Sequence, residues 1–230
     1  MFERTSLLIG DNNLKLIRDL NILVLGVGGV GGYAIETLIR SGVEKITLVD
    51  YDTIDITNLN RQIIALNNNI GKYKVEEFKK RIENINSNVI VNTITEKINK
   101  DNLNILFKDN YDYIIDACDT IEVKKELIKV CKEKKISLIT VCGMGNKLNP
   151  SKVKICNIKD TSYDPIAKIL RKYVKDERIK GKVICISSDE KPIKNNKNIT
   201  SSMMMVPTTA GILAASYIIN NTINTNDSLI

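Results

Sequence analysis

Ile22-Leu23-Val24-Leu25-Gly26-Val27-Gly28-Gly29-Val30-Gly31-Gly32 is the stretch on which the reading of this chain turns. A short apolar run stops in glycines, and a helical pattern follows to about Arg40, closed by Ser41-Gly42. The pattern is that of a buried parallel strand, a tight turn and a helix whose N-terminus opens on the turn. Glycine permits positive φ and close backbone approach. The first N–H groups of the helix lack internal partners and lie at the positive end of its dipole, where phosphates bind. A nucleotide is the ligand this implies. Lys45-Ile46-Thr47-Leu48-Val49-Asp50 reads as a second strand and completes a βαβ unit. Asp50 stands 22 residues beyond Gly28, and an acidic residue about 20 residues past such glycines binds ribose hydroxyls. The plainer reading makes Asp50 a strand end or a helix cap.

Outward from this unit the alternation continues. Strands are expected at Val89–Ile94, Tyr113–Ala117 and Ile136–Val141, with helices over 71–84 and 120–134 and a short one between Asn99 and Phe107. The fold class is α/β, a Rossmann-like doubly wound, mainly parallel sheet, extended by later, antiparallel strands. Those are Lys152–Ile158, which alternates like a half-exposed strand, and Val183–Ile186. Between them Asp164-Pro165 opens a basic helix to about Asp176. Residues 188–202 are lysine- and asparagine-rich and read as mobile. A last helix is expected from Pro207, as its first residue, to about Asn221. The organisation is one domain over 1–221: N-terminal helices at 1–18, a nucleotide-binding core at 19–143 and a substrate-side extension at 144–221. A frayed tail, 222–230, follows.

Composition excludes several chemistries. The 230 residues include no histidine, which removes Ser-His-Asp and Cys-His mechanisms. Five cysteines without C-x-x-C spacing argue against a structural zinc site or a disulfide framework. No apolar run reaches the ~18 residues of a membrane span, and the start lacks a signal-peptide layout, so a cytoplasmic location is expected. The net charge of +7 suits an anionic partner such as RNA, or reflects only the richness in Lys, Asn and Ile.

The glycines with Asp50 fit a nicotinamide-dependent dehydrogenase as well as an ATP enzyme. Three features favour ATP. Asn58, Arg61 and Gln62 lie in the long polar connection beside the glycine turn, where a guanidinium forks onto phosphate oxygens. Lys74 opens the next helix within reach of the same phosphates. Asp116-Ala117-Cys118-Asp119 ends the fourth strand, so its carboxylates are expected to face the same crevice, and Mg²⁺ prefers carboxylate plus phosphate oxygens. Singly, each has a dull alternative: Arg61 a surface ion pair, Lys74 a solvated helix residue, Asp119 a helix cap.

Gly26-Val-Gly-Gly-Val-Gly31, Asp50-Tyr-Asp52, Asn58-Leu-Asn-Arg61-Gln62, Gly71-Lys-Tyr-Lys74 and Asp116-Ala-Cys-Asp119 together resemble the motif series of the E1-like (ThiF-type) adenylating enzymes. The resemblance implies ATP with Mg²⁺, attack of a carboxylate on the α-phosphate, and pyrophosphate release. It implies that Gly26, Gly28, Gly29, Gly31, Asp50, Asp52, Asn58 and Gln62 form the nucleotide site. Asp50 would hold the ribose, Arg61 and Lys74 the phosphates, and Asp119 the metal. Arg4 matches an arginine that reaches the partner subunit's ATP, which implies a homodimer with composite sites.

The rest of the chain resembles, within that family, the group that dehydrates threonylcarbamoyladenosine in tRNA. Arg4-Thr-Ser-Leu-Leu-Ile-Gly10, Gly143-Met-Gly-Asn-Lys-Leu-Asn-Pro150, Tyr163-Asp164-Pro165, Ser187-Ser-Asp-Glu-Lys-Pro192 and Met205-Val-Pro-Thr-Thr-Ala-Gly211 carry this likeness. It implies cyclisation of the threonylcarbamoyl group on adenosine 37 through an acyl-adenylate. Residues 168–197 hold ten Lys or Arg and four Asp or Glu, a local excess suited to RNA phosphates or simply a solvated face. The alternative is adenylation of the C-terminal glycine of a ubiquitin-like sulfur carrier, with sulfur-transfer proteins as partners. A catalytic thiol is not required by cyclisation; were there one, Cys185 is the first candidate, ahead of Cys118 and Cys142, all of which also read as core residues.

Overall fold

The structure, a computed structural model, describes residues 1–194 and 200–227. Two short helices, α1 (Glu3–Ile9) and α2 (Asp11–Asp19), precede the sheet. The strands are β1 (Asn21–Leu25), β2 (Lys45–Val49), β3 (Ile90–Ile94), β4 (Tyr113–Asp116), β5 (Ser137–Val141), β6 (Val153–Asn157) and β7 (Ile184–Ser188). They form one sheet in the order β3-β2-β1-β4-β5-β7-β6.

The apolar run of β1 lacks alternation because both faces of the sheet are covered. Ile22 and Val24 point into one core with α3 (Gly31–Ser41), α4 (Lys74–Ile85) and α7 (Met205–Asp227). Leu23 and Leu25 point into a second core with Val123 and Leu127 of α5 (Ile121–Lys134) and with the short turn Leu103–Phe107. α6 (Pro165–Asp176) lies beside α5, where Ala167, Leu170 and Val174 close a third cluster over Cys142 and Cys185.

Register places the site. Leu25 pairs with both Val49 and Asp116, so β1, β2 and β4 end level. The ladder runs one residue further on each: the Gly26 N–H donates to Val49 O (2.8 Å), the Ala117 N–H to Leu25 O (2.8 Å) and the Asp50 N–H to Ile94 O (3.1 Å). Gly26, Asp50 and Ala117 thus emerge side by side where the strand order reverses, the crevice in which open α/β sheets bind ligands.

Three expectations are revised. Of the two late strands only β6 is antiparallel; β7 joins β5 in parallel, with Thr140 opposite Cys185. Residues 142–152 contain no crossover α-helix, so the chain reverses into β6, and the parallel partner of β5 arrives only after α6. The last helix begins at Met205, two residues before Pro207; proline needs no N–H anywhere in a first turn, where no intrahelical acceptor exists. The same helix continues to Asp227, into the stretch expected to fray. Of the segment 188–202 expected to be mobile, residues 195–199 lie outside the described residues, as do 228–230 of the tail. No helix among the described residues is long and apolar enough to cross a membrane.

Candidate active site

The glycine turn is held by contacts that only glycine allows. Gly26 has φ +87°, and a Cβ there would stand 2.7 Å from the Ala117 carbonyl. A Cβ on Gly31, the first residue of α3, would meet Gly26 O at 1.8 Å. Gly31 therefore seats the helix on the strand rather than touching the ligand space, and it stands outside the cavity lining. Gly26, Gly28 and Gly29 do line that cavity, a space of about 260 Å³ at the level strand ends.

Asp50, Asp52, Arg61, Gln62, Lys74 and Asp119 share the same wall. Asp50 is buried and its two carboxylate oxygens accept the Val27 N–H (2.7 Å) and the Asp52 N–H (2.9 Å). It therefore clamps the glycine turn to the end of β2 besides facing the cavity. Burial raises its pKa above the ordinary carboxylate value, against the opposing pull of the Lys74 charge and the two N–H donors. Lys74, almost fully buried, donates to Asp52 Oδ2 at 2.8 Å. The Arg61 Nη1 donates to Thr57 O (2.9 Å) and Asn60 Oδ1 (3.0 Å), which fixes the guanidinium while its other donors have no partner among the described residues.

Asp119 is exposed on the cavity wall and, among the described residues, accepts only the Thr120 hydroxyl, at 3.4 Å. Gln62 is buried, and its Oε1 has no partner among the described residues. An unpaired buried acceptor costs about 1–3 kcal/mol, a cost that a ligand hydroxyl or amine donor lining up beside the glycines would remove.

Other expected residues lie elsewhere. Asn58 is outside the lining; its Oδ1 accepts the Asp55 N–H at 3.2 Å and so caps the turn that carries Arg61. Asp116 does not face the crevice. It is fully buried, 3.1 Å from Lys124 Nζ through each oxygen, and accepts the Thr140 hydroxyl at 2.6 Å. Lys124 also donates to Val141 O at 2.8 Å, so this pair ties the ends of β4 and β5 beneath the cavity floor. Arg4 is exposed on α1 and is not part of this cavity. Cys185 is fully buried; hydrogen bonding with Cys142 and Cys156, and then burial, push its thiol far up, so it offers no accessible thiolate. Cys118 lines the cavity, but burial and the Asp116 charge raise its pKa as well.

Sequence reasoning missed Ile98 and Val123, which with Leu25 and Val49 give the cavity an apolar side fit for a base, and Glu96, a further carboxylate. Their position just past β3 and just after Asp119-Thr120 was the available signal. The late motifs also converge. Lys147 Nζ donates to Gly143 O (2.6 Å) and Asp164 Oδ2 (3.2 Å), while Asp164 Oδ1 caps α6 by accepting the Ala167 N–H (2.8 Å). Glu190 accepts the Leu148 and Asn149 N–H groups (3.0 and 2.8 Å). A second hollow, bounded by Thr57, Met144, Gly145, Thr200, Ser202 and Pro207, shares Gly28, Gly29, Arg61 and Ala117 with the first.

Residues 2–226 match the model of the ThiF family. A tRNA threonylcarbamoyladenosine dehydratase of Bacillus subtilis is 38% identical over 235 residues, covering 95% of this chain and 92% of its own. A crystal structure of E. coli tRNA N6-threonylcarbamoyladenosine dehydratase in complex with ATP superposes with a TM-score of 0.92 at 34% identity, covering 99% of this chain and 95% of that one. A molybdopterin-synthase adenylyltransferase of Haemophilus influenzae is more distant, 28% identical over 86% of this chain and 83% of its own.

Proposed function

The chain belongs to the ThiF family, and from that premise we propose that it is an ATP-dependent enzyme that dehydrates N6-threonylcarbamoyladenosine in tRNA to its cyclic form. The observation that carries this reading is the convergence of Asp50, Arg61, Lys74 and Asp119 on one cavity at the strand-order reversal. The ATP-bound relative, alike over nearly the whole chain, supports the nucleotide.

In this reading the apolar side, with Ile98 and Val123, takes the base and Asp50 accepts from the ribose. The threonyl carboxylate attacks the α-phosphorus, a P–O bond forms, and the bond to the β-phosphate breaks with release of pyrophosphate. The carbamoyl oxygen or nitrogen then attacks the activated acyl carbon, AMP leaves with the bonding pair, one carbamoyl N–H proton passes to solvent, and the ring closes with net loss of water. A carboxylate approaching a polyanion meets charge repulsion, and Arg61 and Lys74 offset it as negative charge builds on the non-bridging and leaving oxygens. The second attack is intramolecular, so proximity supplies much of its rate.

Among the described residues no cluster of three or more potential metal ligands exists. Asp119 nonetheless fits Mg²⁺ that arrives with the nucleotide, since it is a cavity carboxylate with no cation partner among the described residues, and Mg²⁺ takes one or two carboxylates alongside phosphates. Bound there, the ion would neutralise the pyrophosphate as it departs. Arg4, exposed beside Leu7 and Leu8, which are 82% and 84% exposed, suits a homodimer in which it completes the partner's site. A cytoplasmic location, and sulfur-transfer proteins as occasional partners, belong to the same proposal.

The test is incubation with Mg-ATP and threonylcarbamoyl-modified tRNA, then mass analysis of the nucleoside. Loss of one water with one AMP formed supports the reading, and Asp119→Ala and Arg61→Ala each lose that activity while staying folded. Pyrophosphate exchange that requires a sulfur-carrier protein and ignores tRNA would replace it.

A further inference from the structure

The outer face of α6 carries a row of cations. Ala167, Leu170 and Val174 face inward, which turns Lys168, Lys172 and Lys175 outward, exposed. With Arg171, and with Lys159 from the turn before, they line a shallow groove of about 420 Å³ that has no apolar side chain in its wall. None of the four lysines has an acidic partner within ion-pair distance among the described residues, whereas the neighbouring Lys125 and Lys154 are both paired. From Lys168 to Lys175 the row runs about 10 Å along the helix.

The chain enters this helix through Tyr163. The residue is 56% exposed and its φ is +56°, a conformation uncommon for a bulky residue. Every neighbour that holds the turn is fixed. Arg171 Nη1 donates to Thr161 O (2.5 Å) and Oγ1 (2.6 Å), Ser162 Oγ donates to Asp189 Oδ1 (2.8 Å), and Asp164 is buried against Lys147. Lys191 Nζ sits 5.3 Å from the ring centroid. A large aromatic surface is thus presented to solvent on a braced turn, with a cation beside it.

We infer that Tyr163 and the lysines of α6, with Lys159, form the docking surface for the RNA substrate: the lysines neutralise backbone phosphates and the tyrosine ring stacks on an unpaired base. The inference rests on the tRNA reading above. An all-cationic groove is a poor core for a protein interface, which wants apolar and aromatic area at its centre. A fixed aromatic beside basic residues is how single-stranded bases are held. Arg171 serves the turn rather than the phosphates.

The test measures binding of threonylcarbamoyl-modified tRNA by fluorescence anisotropy across a salt series, with steady-state kinetics in parallel. Lys168→Ala/Lys172→Ala/Lys175→Ala should weaken binding at least about 10-fold near physiological salt and flatten the log–log salt dependence by about 2–3. Tyr163→Asn, which tolerates the left-handed backbone, should weaken binding about 10-fold with the salt slope unchanged, and Tyr163→Phe should match the native protein. In each weakened variant KM for tRNA rises while kcat and the affinity for ATP alone hold. Native protein that cyclises the tRNA, with variants equal to it at every salt, overturns this inference and leaves the proposed function standing. Native protein that neither binds nor cyclises the tRNA overturns both. An acidic carrier protein bound through these lysines in place of tRNA also overturns it.

Discussion

Asp50→Asn separates the turn clamp that the structure shows from the ribose contact proposed above. In the native protein its oxygens accept the Val27 N–H at 2.7 Å and the Asp52 N–H at 2.9 Å. Hydrogen bonds to a charged acceptor contribute about 1.5–3 kcal/mol each, but burial, which raises this carboxyl's pKa, offsets part of that. An asparagine offers one oxygen and turns an NH2 toward the second N–H, so the expected net loss of stability is about 1–2 kcal/mol. A ribose hydroxyl donating to the carboxylate is worth a similar charge-assisted bond, or about 10–100-fold in affinity. Calorimetric titration with ATP and with 2′,3′-dideoxy-ATP reads the second role, and urea unfolding reads the first. The native protein should prefer ATP by at least about 10-fold, and Asp50→Asn should bind both nucleotides alike. A variant that keeps the full preference for ATP refutes the ribose role and leaves Asp50 as a clamp only. An unchanged urea midpoint refutes the clamp.

Three further outcomes are expected. Lys124→Met strands the Asp116 carboxylate, whose exposure is 0%, and should cost about 3–5 kcal/mol; adding Asp116→Leu should recover part of it, and a double variant as unstable as the sum of the singles would contradict the pairing. Glu36 bridges α3 to Arg81 of α4 (2.8 Å) and to Arg40 (2.6 Å); burial raises its pKa, but the two guanidiniums outweigh that and the net shift is down. Its contribution should therefore be full above the unfolded value of about 4.3 and vanish as pH falls through the lower folded value, so unfolding curves of Glu36→Gln and native protein should converge in acid; a gap that persists there argues against the ion pairs. Cys185→Ala should retain cyclisation, and alkylation of the native protein should modify the half-buried Cys156, whose pKa is lowered by its hydrogen bond with Cys185, while sparing Cys185; a folded but inactive Cys185→Ala would restore the thiol to the mechanism.

The nucleotide half was legible because its signals are local. An apolar run ending in glycines has one economical geometry, and level strand ends bring Asp50 and the 116–119 segment to the same place whatever else the chain does. Arg61, Lys74 and Asp119 line the cavity because they flank those ends. The misreadings share a cause, which is that sequence shows charge but not depth. Asp116 and Asp119 look equivalent three residues apart, yet one points to Lys124 under the floor and the other to the cavity. Lys124, the partner of Asp116, lies eight residues further on and drew no notice in the sequence. Asn58 reads as a ligand contact, and the structure shows its Oδ1 capping the turn that carries Arg61. Whether Cys185 is nucleophile or core depends on its neighbours Cys142 and Cys156, which come from two other strand regions. The direction of β7 was likewise not local, since it is set by pairing with a strand more than 40 residues earlier.

The buried pair of Lys147 and Asp164 has a consequence for how a substrate is measured. It fastens the start of α6 to Gly143, at the end of the fifth strand, through two side chains each 1% exposed. Swinging α6 outward would unpair or expose a charge, so the helix has no low-cost hinge there. The span from the cationic groove to the nucleotide cavity is accordingly held fixed at this joint, and under the docking proposed above it would serve as a ruler. An RNA whose phosphates are seated along α6 presents to the cavity only the nucleotide at one set distance along its loop. The threonylcarbamoyl group marks which adenosine can react, and a fixed span would govern how that nucleotide is delivered to the α-phosphate.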